Sequence, residues 1–157
     1  TALSGISSAT QQLISRGEIL LDRSDLVGVQ NLIQGATFLG LSNESFDGLR
    51  NRLLQANRIE EQIQKNLFTA RSLIERGFLT EPPYANAVEA LRSVQRLDSD
   101  NEEANLLLEE IAVKLASIAE MAWAAGLQLE AVKYINLALS LDGEREDWIR
   151  RKGEWQR

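Results

Sequence analysis

Acidic side chains form the most concentrated chemical feature of this chain. Six carboxylates stand between positions 98 and 110: Asp98, Asp100, Glu102, Glu103, Glu109 and Glu110. Glu102 and Glu109 are seven residues apart, as are Glu103 and Glu110, so on a helix each pair shares one face. Grouped carboxylates are candidates for holding a metal ion, and paired carboxylates carry out glycoside hydrolysis.

The residue types that usually accompany such chemistry are missing. The chain of 157 residues contains no histidine and no cysteine. This excludes the Glu-x-x-His motif of di-iron bundles, nearly all zinc sites, thiol nucleophiles and Ser-His-Asp catalysis. The sequence also lacks a phosphate-binding glycine loop and a Gly-x-Ser-x-Gly motif. We therefore interpret the acidic cluster as helix caps and a solvated face, and we expect no catalysis, no cofactor and no metal ion.

The charge distribution bears on the class of partner. The net charge is −6, and positions 76–143 hold eleven acids and five bases. A nucleic-acid binder needs a basic stripe, so neither nucleic acid nor an anionic membrane surface is an expected partner. No apolar run approaches the roughly 20 residues that span a membrane, and we expect no membrane insertion. Because the chain opens at Thr1 inside a predicted helix, we expect a piece of a longer or processed polypeptide.

The elements that position these residues are helices. Apolar residues recur at steps of three and four along the whole chain, which predicts an all-α fold. A degenerate helix pair is predicted over about 4–41. A continuous apolar stripe then predicts a long connecting helix over about 44–76, capped by Asn43 or Ser45, as one helix or as two that meet near Asn57.

The second half of the chain has sharper boundaries. Pro82 and Pro83 suit the first turn of a helix, where their missing N–H groups are not needed, with Thr80 as its cap. Asp100 or Asn101 is predicted to cap the next helix. The remaining elements of this single domain, 1–157, are a pair ending near 98, a long helix over about 101–125, a second helix over about 128–141 and a C-terminal capping helix over about 144–156.

An internal repeat relates the later segments. The stretch NAVEALRSVQRLD at 86–98 matches EAVKYINLALSLD at 130–142, and a glycine precedes each copy, at Gly77 and at Gly126. This pattern resembles the tetratricopeptide repeat, although that repeat is usually about 34 residues long and these copies are longer. Ser99 and Gly143 also stand where the family has proline. The matching residues are Ala70, Gly77, Ala87, Leu91, Val94, Leu97 and Asp98 in one copy, and Ala119, Gly126, Ala131, Ile135, Ala138, Leu141 and Asp142 in the other.

The resemblance implies both a fold and a function. The expected fold is all-α, with antiparallel helix pairs stacked as a short tetratricopeptide-like α-solenoid with extended first helices. The expected function is that of a protein–protein interaction scaffold, which binds a peptide or a partner protein in the groove lined by the first helices. The groove residues that the register implies are Gln64, Leu67, Arg71, Glu75, Glu120 and Trp123. Trp123 has an alternative interpretation as a residue packed between copies.

A second interpretation makes the chain a structural or oligomerisation segment of a larger envelope or enzyme-linked protein. In that case the helix over 44–76 and the tryptophans Trp148 and Trp155 would make the contacts, including those of a homodimer. The two tryptophans are seven residues apart, so they share a face that is also suited to capping the last helix pair. Long repeats of this style resemble segments of bacterial cell-envelope proteins, which favours the periplasm or envelope over the cytoplasm.

Overall fold

The computed structural model describes residues 2–41 and 44–157. Over these residues the chain forms seven α-helices and no strand, which confirms the all-α prediction. The helices are α1 (Ala2–Asp22), α2 (Leu26–Phe38), α3 (Asp47–Glu75), α4 (Ala87–Leu97), α5 (Glu102–Ala124), α6 (Gln128–Leu141) and α7 (Glu146–Trp155). A short 3-10 helix, Glu44–Phe46, precedes α3 and contains Ser45. The other predicted cap, Asn43, lies outside the described residues.

Helix α3 is a single helix of 29 residues, so the apolar stripe does not divide near Asn57. The chain forms two compact units, Thr1–Gln62 (unit 1) and Ile63–Arg157 (unit 2), and their boundary falls within α3.

Unit 1 is built around one aromatic side chain. Phe46 is completely buried together with Val29, Ala36 and Leu49. A Cβ atom at Gly17 would come within 2.5 Å of Leu49 Cδ2, so the missing side chain at this position lets Leu49 approach α1 closely. Partly buried apolar residues surround this core: Leu13, Ile14, Leu20, Leu21, Leu32, Ile33, Leu41 and Leu53.

Three of the helices end in the same way. Each of α2, α3 and α5 is followed by a glycine in the left-handed region, namely Gly40, Gly77 and Gly126, with φ of 70°, 79° and 77°. The N–H of the next residue donates to a carbonyl five residues earlier, as from Phe78 to Leu73 at 2.9 Å. This is the Schellman motif, which glycine favours because it has no Cβ to clash in this conformation.

Helix α1 ends in the same hydrogen-bond pattern without a glycine. Ser24 occupies the left-handed position with a φ of 58°, and the N–H of Asp25 donates to the carbonyl of Leu20 at 2.9 Å. An L-residue in this region costs roughly 1–2 kcal/mol. The polar segment at 23–25 after α1 therefore contains a strained helix terminator.

We expect Ser24→Gly to raise the free energy of unfolding by about 0.5–1 kcal/mol, because the relief of strain exceeds the extra chain entropy of glycine. Urea unfolding followed by circular dichroism measures the change. Ser15→Gly is the matched control, since it makes the same chemical change inside the regular part of α1 and should lower stability. A loss of stability in both variants would contradict the role given to Ser24.

Unit 2 contains a helical hairpin of α5 and α6, joined by Ala125–Leu127. Four alanines of these two helices are fully buried and are here called the seam, namely Ala112 and Ala119 of α5 and Ala131 and Ala138 of α6. Small side chains let two helix backbones approach closely, and larger residues such as Leu115 fill the remaining space. Helix α4 packs against α5, and α6 packs against α7.

The start of α4 differs from the prediction. Pro82 and Pro83 lie in the loop before the helix, and the cap is Asn86, not Thr80. The side chain of Asn86 is 5% exposed, and its oxygen accepts from the N–H of Glu89 at 3.0 Å. Its amide nitrogen donates to the carbonyls of Thr80 and Pro82 at 3.0 and 2.9 Å. A buried asparagine must satisfy these groups internally, and this requirement sets the first turn of α4 at Ala87. At the next helix, Asn101 is the cap, as one of the two predicted alternatives.

Candidate functional site

An open groove of about 320 Å³ lies between the C-terminal turn of α3 and the second half of α5. Its apolar lining includes Ile74, Leu79 and Ile118. One acidic and one basic side chain, Glu75 and Lys114, lie at its edge. The lining of the groove therefore combines apolar side chains with two charges of opposite sign.

Met121 is the most exposed large apolar residue of this groove, at 62% of its full area. It is the single methionine of the chain. The unbranched thioether side chain of methionine adapts to differently shaped apolar partners. An exposed apolar side chain at the edge of a concave surface is a feature of binding sites.

The turn after α3 forms one wall of the groove. A smaller depression of about 120 Å³ shares Leu79 and Ile118 with the groove and extends to Tyr134 on α6. Beside it, Lys133 Nζ donates to Glu81 Oε1 at 3.0 Å. This hydrogen bond and the negative charge of Glu81 raise the pKa of Lys133. The ion pair joins the loop before α4 to α6.

The sequence-predicted groove residues of α3 have different roles. Glu75 lines the groove. Gln64 is exposed, whereas Leu67 is buried and belongs to the core. Arg71 forms an ion pair with Glu103 of α5, so its guanidinium connects two helices of unit 2. The predicted residues of α3 are thus divided between the groove, the core and an interhelix contact.

The two predicted groove residues of α5 are in contact with α7. The ring of Trp123 stacks on the ring of Trp155, with 4.9 Å between centroids and 12° between planes. Glu120 Oε1 accepts a hydrogen bond from Arg151 Nε at 2.8 Å. Helix α7 therefore contacts both residues, while the side chain of Glu120 stays about half exposed. The groove residues that sequence reasoning missed, among them Met121, lie on another face of α5.

The second predicted tryptophan of α7 has a separate environment. The guanidinium of Arg145 lies 4.7 Å above the ring centroid of Trp148. Arg145 Nε also donates to Asp142 Oδ2 at 2.9 Å. These contacts fix the turn between α6 and α7. Trp148 therefore packs on that turn near the start of α7, whereas Trp155, near the end of α7, packs on α5.

The acidic cluster forms caps and ion pairs. Asp98 ends α4 and accepts from the side-chain amide of Asn101 at 3.1 Å. Glu103 pairs with Arg71, and Glu110 pairs with Lys114 at 3.4 Å. Over residues 2–41 and 44–157, no three acidic side chains come together in a way that would hold a metal ion.

The long helix α3 was the alternative contact surface for a homodimer. Its residues Leu53 and Ile63 are part of the packed interior, with Leu53 against the core of unit 1 and Ile63 buried. A charged residue at either position would therefore destabilise the fold, so such variants cannot serve to test whether the chain forms a homodimer through α3. The exposed apolar side chains of α3 are instead Leu54 and Phe68.

None of the helices in the described part of the chain has the length and apolar character needed to cross a membrane. Comparison with protein families, with curated proteins and with solved structures yields no match to this chain.

Proposed function

We propose that this chain is a non-catalytic interaction module, built from helix pairs of the tetratricopeptide kind, which binds a segment of a partner protein or peptide in the groove between α3 and α5. The groove itself is the observation that carries the proposal. It combines the exposed Met121 with an apolar lining and places Glu75 and Lys114 at its edge. Such a surface recognises apolar and charged side chains of a peptide together.

Repetition of the helix ends supports the assignment to stacked pairs. Helices α3 and α5 both end in a Schellman motif, at Gly77 and Gly126, which are 49 residues apart. A second helix follows each motif and buries an alanine near its start, Ala87 in α4 and Ala131 in α6. A glycine turn followed by a buried alanine in the first turn of the second helix recurs in both pairs, although the connecting loop is longer in the first pair, and such recurrence is typical of helical repeat proteins.

Repetition of an ion pair supports the same assignment. Arg71 of α3 pairs with Glu103 of α5, and Glu120 of α5 pairs with Arg151 of α7. Arg71 and Glu120 are also 49 residues apart, so they hold the same place relative to the following glycine. Equivalent positions of α3 and α5 thus each form an ion pair with the next helix but one. The basic residue belongs to α3 in the first pair, and the acidic residue belongs to α5 in the second. On this interpretation α7 takes the place of the first helix of a further pair.

The openness of the groove favours a peptide over a small molecule. Sites for small molecules enclose most of the ligand surface. Here Glu75, Lys114 and Met121 are all exposed, so one side of any ligand would remain in water. A peptide tolerates this because its remaining side chains and backbone stay solvated.

Selection from a displayed random peptide library with the wild-type chain tests the proposal. We expect Met121→Asp to lower the affinity for the selected peptides at least tenfold, which corresponds to a loss of about 1.4 kcal/mol of binding free energy. Leu106→Asp is the matched control, because Leu106 lies on the same helix and is 64% exposed. It should leave binding unchanged.

Circular dichroism checks that both variants keep the helical content of the wild type. Selected peptides that bind wild type and Met121→Asp equally well would place the binding surface elsewhere and contradict the proposal. Equal losses in both variants would also contradict it, since they would show a general effect of the added charge.

A further inference from the structure

We propose that α7 is a displaceable occupant of a second recognition face on α5, formed by Glu120 and Trp123, and that the partner of this face is a helix with an arginine and a tryptophan four residues apart. The face is distinct from the groove, because Met121 and Trp123 are about 160° apart around the helix at about 100° per residue. The inference adds a second surface and does not require the Met121 groove to bind anything.

The chemistry of the partner follows from the helix that now covers the face. Arg151 and Trp155 are four residues apart and share one side of α7, and they meet Glu120 and Trp123, which are three residues apart on α5. The carboxylate selects a cation with N–H donors, and the indole ring selects a flat aromatic ring. A partner helix must reproduce both features at this spacing to make the same two contacts.

Apart from its packing against α6, the docking of α7 rests on these few contacts with α5. The ten residues of α7 all lie in the described part of the chain, and none of them is buried. No side-chain hydrogen bond within that part caps its first turn, and Gly153 lies near its end. A helix this short is marginal in water without a packed face. Release of α7 therefore leaves the cores of α5 and α6 intact.

The ion pair that holds α7 is open to exchange. The side chains of Arg151 and Glu120 are both about half exposed, and exposed pairs of this kind contribute little to stability. Arg151 also lies 3.6 Å from Glu154 of its own helix, which provides an alternative partner when α7 leaves. The guanidinium thus keeps an ion pair in both states.

The connection to α6 keeps α7 nearby. The contacts of Arg145 with Asp142 and Trp148 hold the turn before α7 without involving the face. A segment tethered by so short a connection is present at a high effective concentration, about millimolar for short linkers. The wild-type face is consequently closed to weak ligands and opens when a stronger helix competes or when α7 loses its contacts.

A labelled peptide with the sequence of residues 144–157 is the probe. We expect it to bind the double variant Arg151→Ala/Trp155→Ala of the 157-residue chain at least tenfold more tightly than the wild type, as measured by fluorescence anisotropy. Adding Trp123→Ala to the double variant should remove this gain. Arg150→Ala is the control, since it removes the same charge from the neighbouring residue of α7 and should leave the face closed.

A charge exchange tests the specificity of the face. In the double variant, Glu120→Arg should reject the native peptide and accept a peptide that carries Arg151→Glu. The proposal is overturned if the native peptide binds the wild type and the double variant equally, or if it fails to bind the double variant.

Amide hydrogen exchange on the wild type gives a second measurement that requires no variant. We expect the amides of α7 to exchange at least tenfold faster than those in the middle of α5, because α7 releases without unfolding the hairpin. Equal protection of α7 and α5 would show that α7 is not displaceable and would overturn the proposal, whatever the result with the Met121 groove.

Discussion

Replacing Phe46 with alanine lowers the free energy of unfolding by about 3–5 kcal/mol, the range for a large aromatic residue removed from a core. Phe46 is 0% exposed and lies among Val29, Ala36 and Leu49. The cavity lowers stability strongly here because Phe46 belongs to the short 3-10 helix before α3, which holds its backbone in place. The surrounding helices therefore cannot close around a smaller side chain. Urea unfolding followed by circular dichroism measures the loss, since all three tryptophans lie in unit 2.

Phe38→Ala provides the matched control for this experiment. Phe38 is 91% exposed at the end of α2, so the same chemical change there should alter stability by no more than about 0.5 kcal/mol. A comparable loss in both variants would show that Phe46 is not the centre of the core. A small loss at Phe46 would show that unit 1 repacks around the missing ring.

The all-α class and several helix ends could be predicted from local patterns. The helix that begins at Glu102 is preceded by Asn101, whose side chain caps it, and two acids stand in its first turn. The helices before Gly77 and Gly126 end where a glycine permits the left-handed turn. In these cases the residues that decide the structure are neighbours in sequence, so the pattern contains the required information.

The start of α4 shows where a local rule becomes ambiguous. Proline is accepted both in the first turn of a helix and in a loop, so Pro82 and Pro83 do not decide between the two positions. The decision comes from Asn86, whose amide is satisfied by the carbonyls of Thr80 and Pro82 across the loop. The sequence alone does not reveal that this asparagine is buried.

The candidate site depends still more on tertiary packing. The register of the repeat predicts that Glu120 and Trp123 face a groove, but α7 returns to cover them through Arg151 and Trp155. The face that contains Met121 remains open instead. Which face of an amphipathic helix is covered depends on residues some thirty positions away, and the periodicity of α5 does not contain that information.

Replacing Leu115 with alanine should lower the free energy of unfolding by about 2–5 kcal/mol, because the side chain is 1% exposed in the middle of α5. The buried residues Ile111 and Ala119 lie four positions before and after it on the same helix, and Leu115 lines a small depression together with Leu79 and Tyr134. Alanine has no further side-chain atoms with which to fill the space. The backbones of α5 and α6 already lie close together, so the hairpin has little room to collapse onto the cavity.

Leu106→Ala isolates the effect of burial, since it makes the identical change on the same helix at a side chain that is 64% exposed. Helix propensity changes equally in both variants, so it cancels from the comparison. Tryptophan fluorescence follows the unfolding of unit 2, which contains Trp123, Trp148 and Trp155. Equal losses at Leu106 and Leu115 would mean that the α5–α6 seam is not the core of this unit. A selective loss at Leu115 would establish the seam as the rigid support on which both the Met121 groove and the Trp123 face are built.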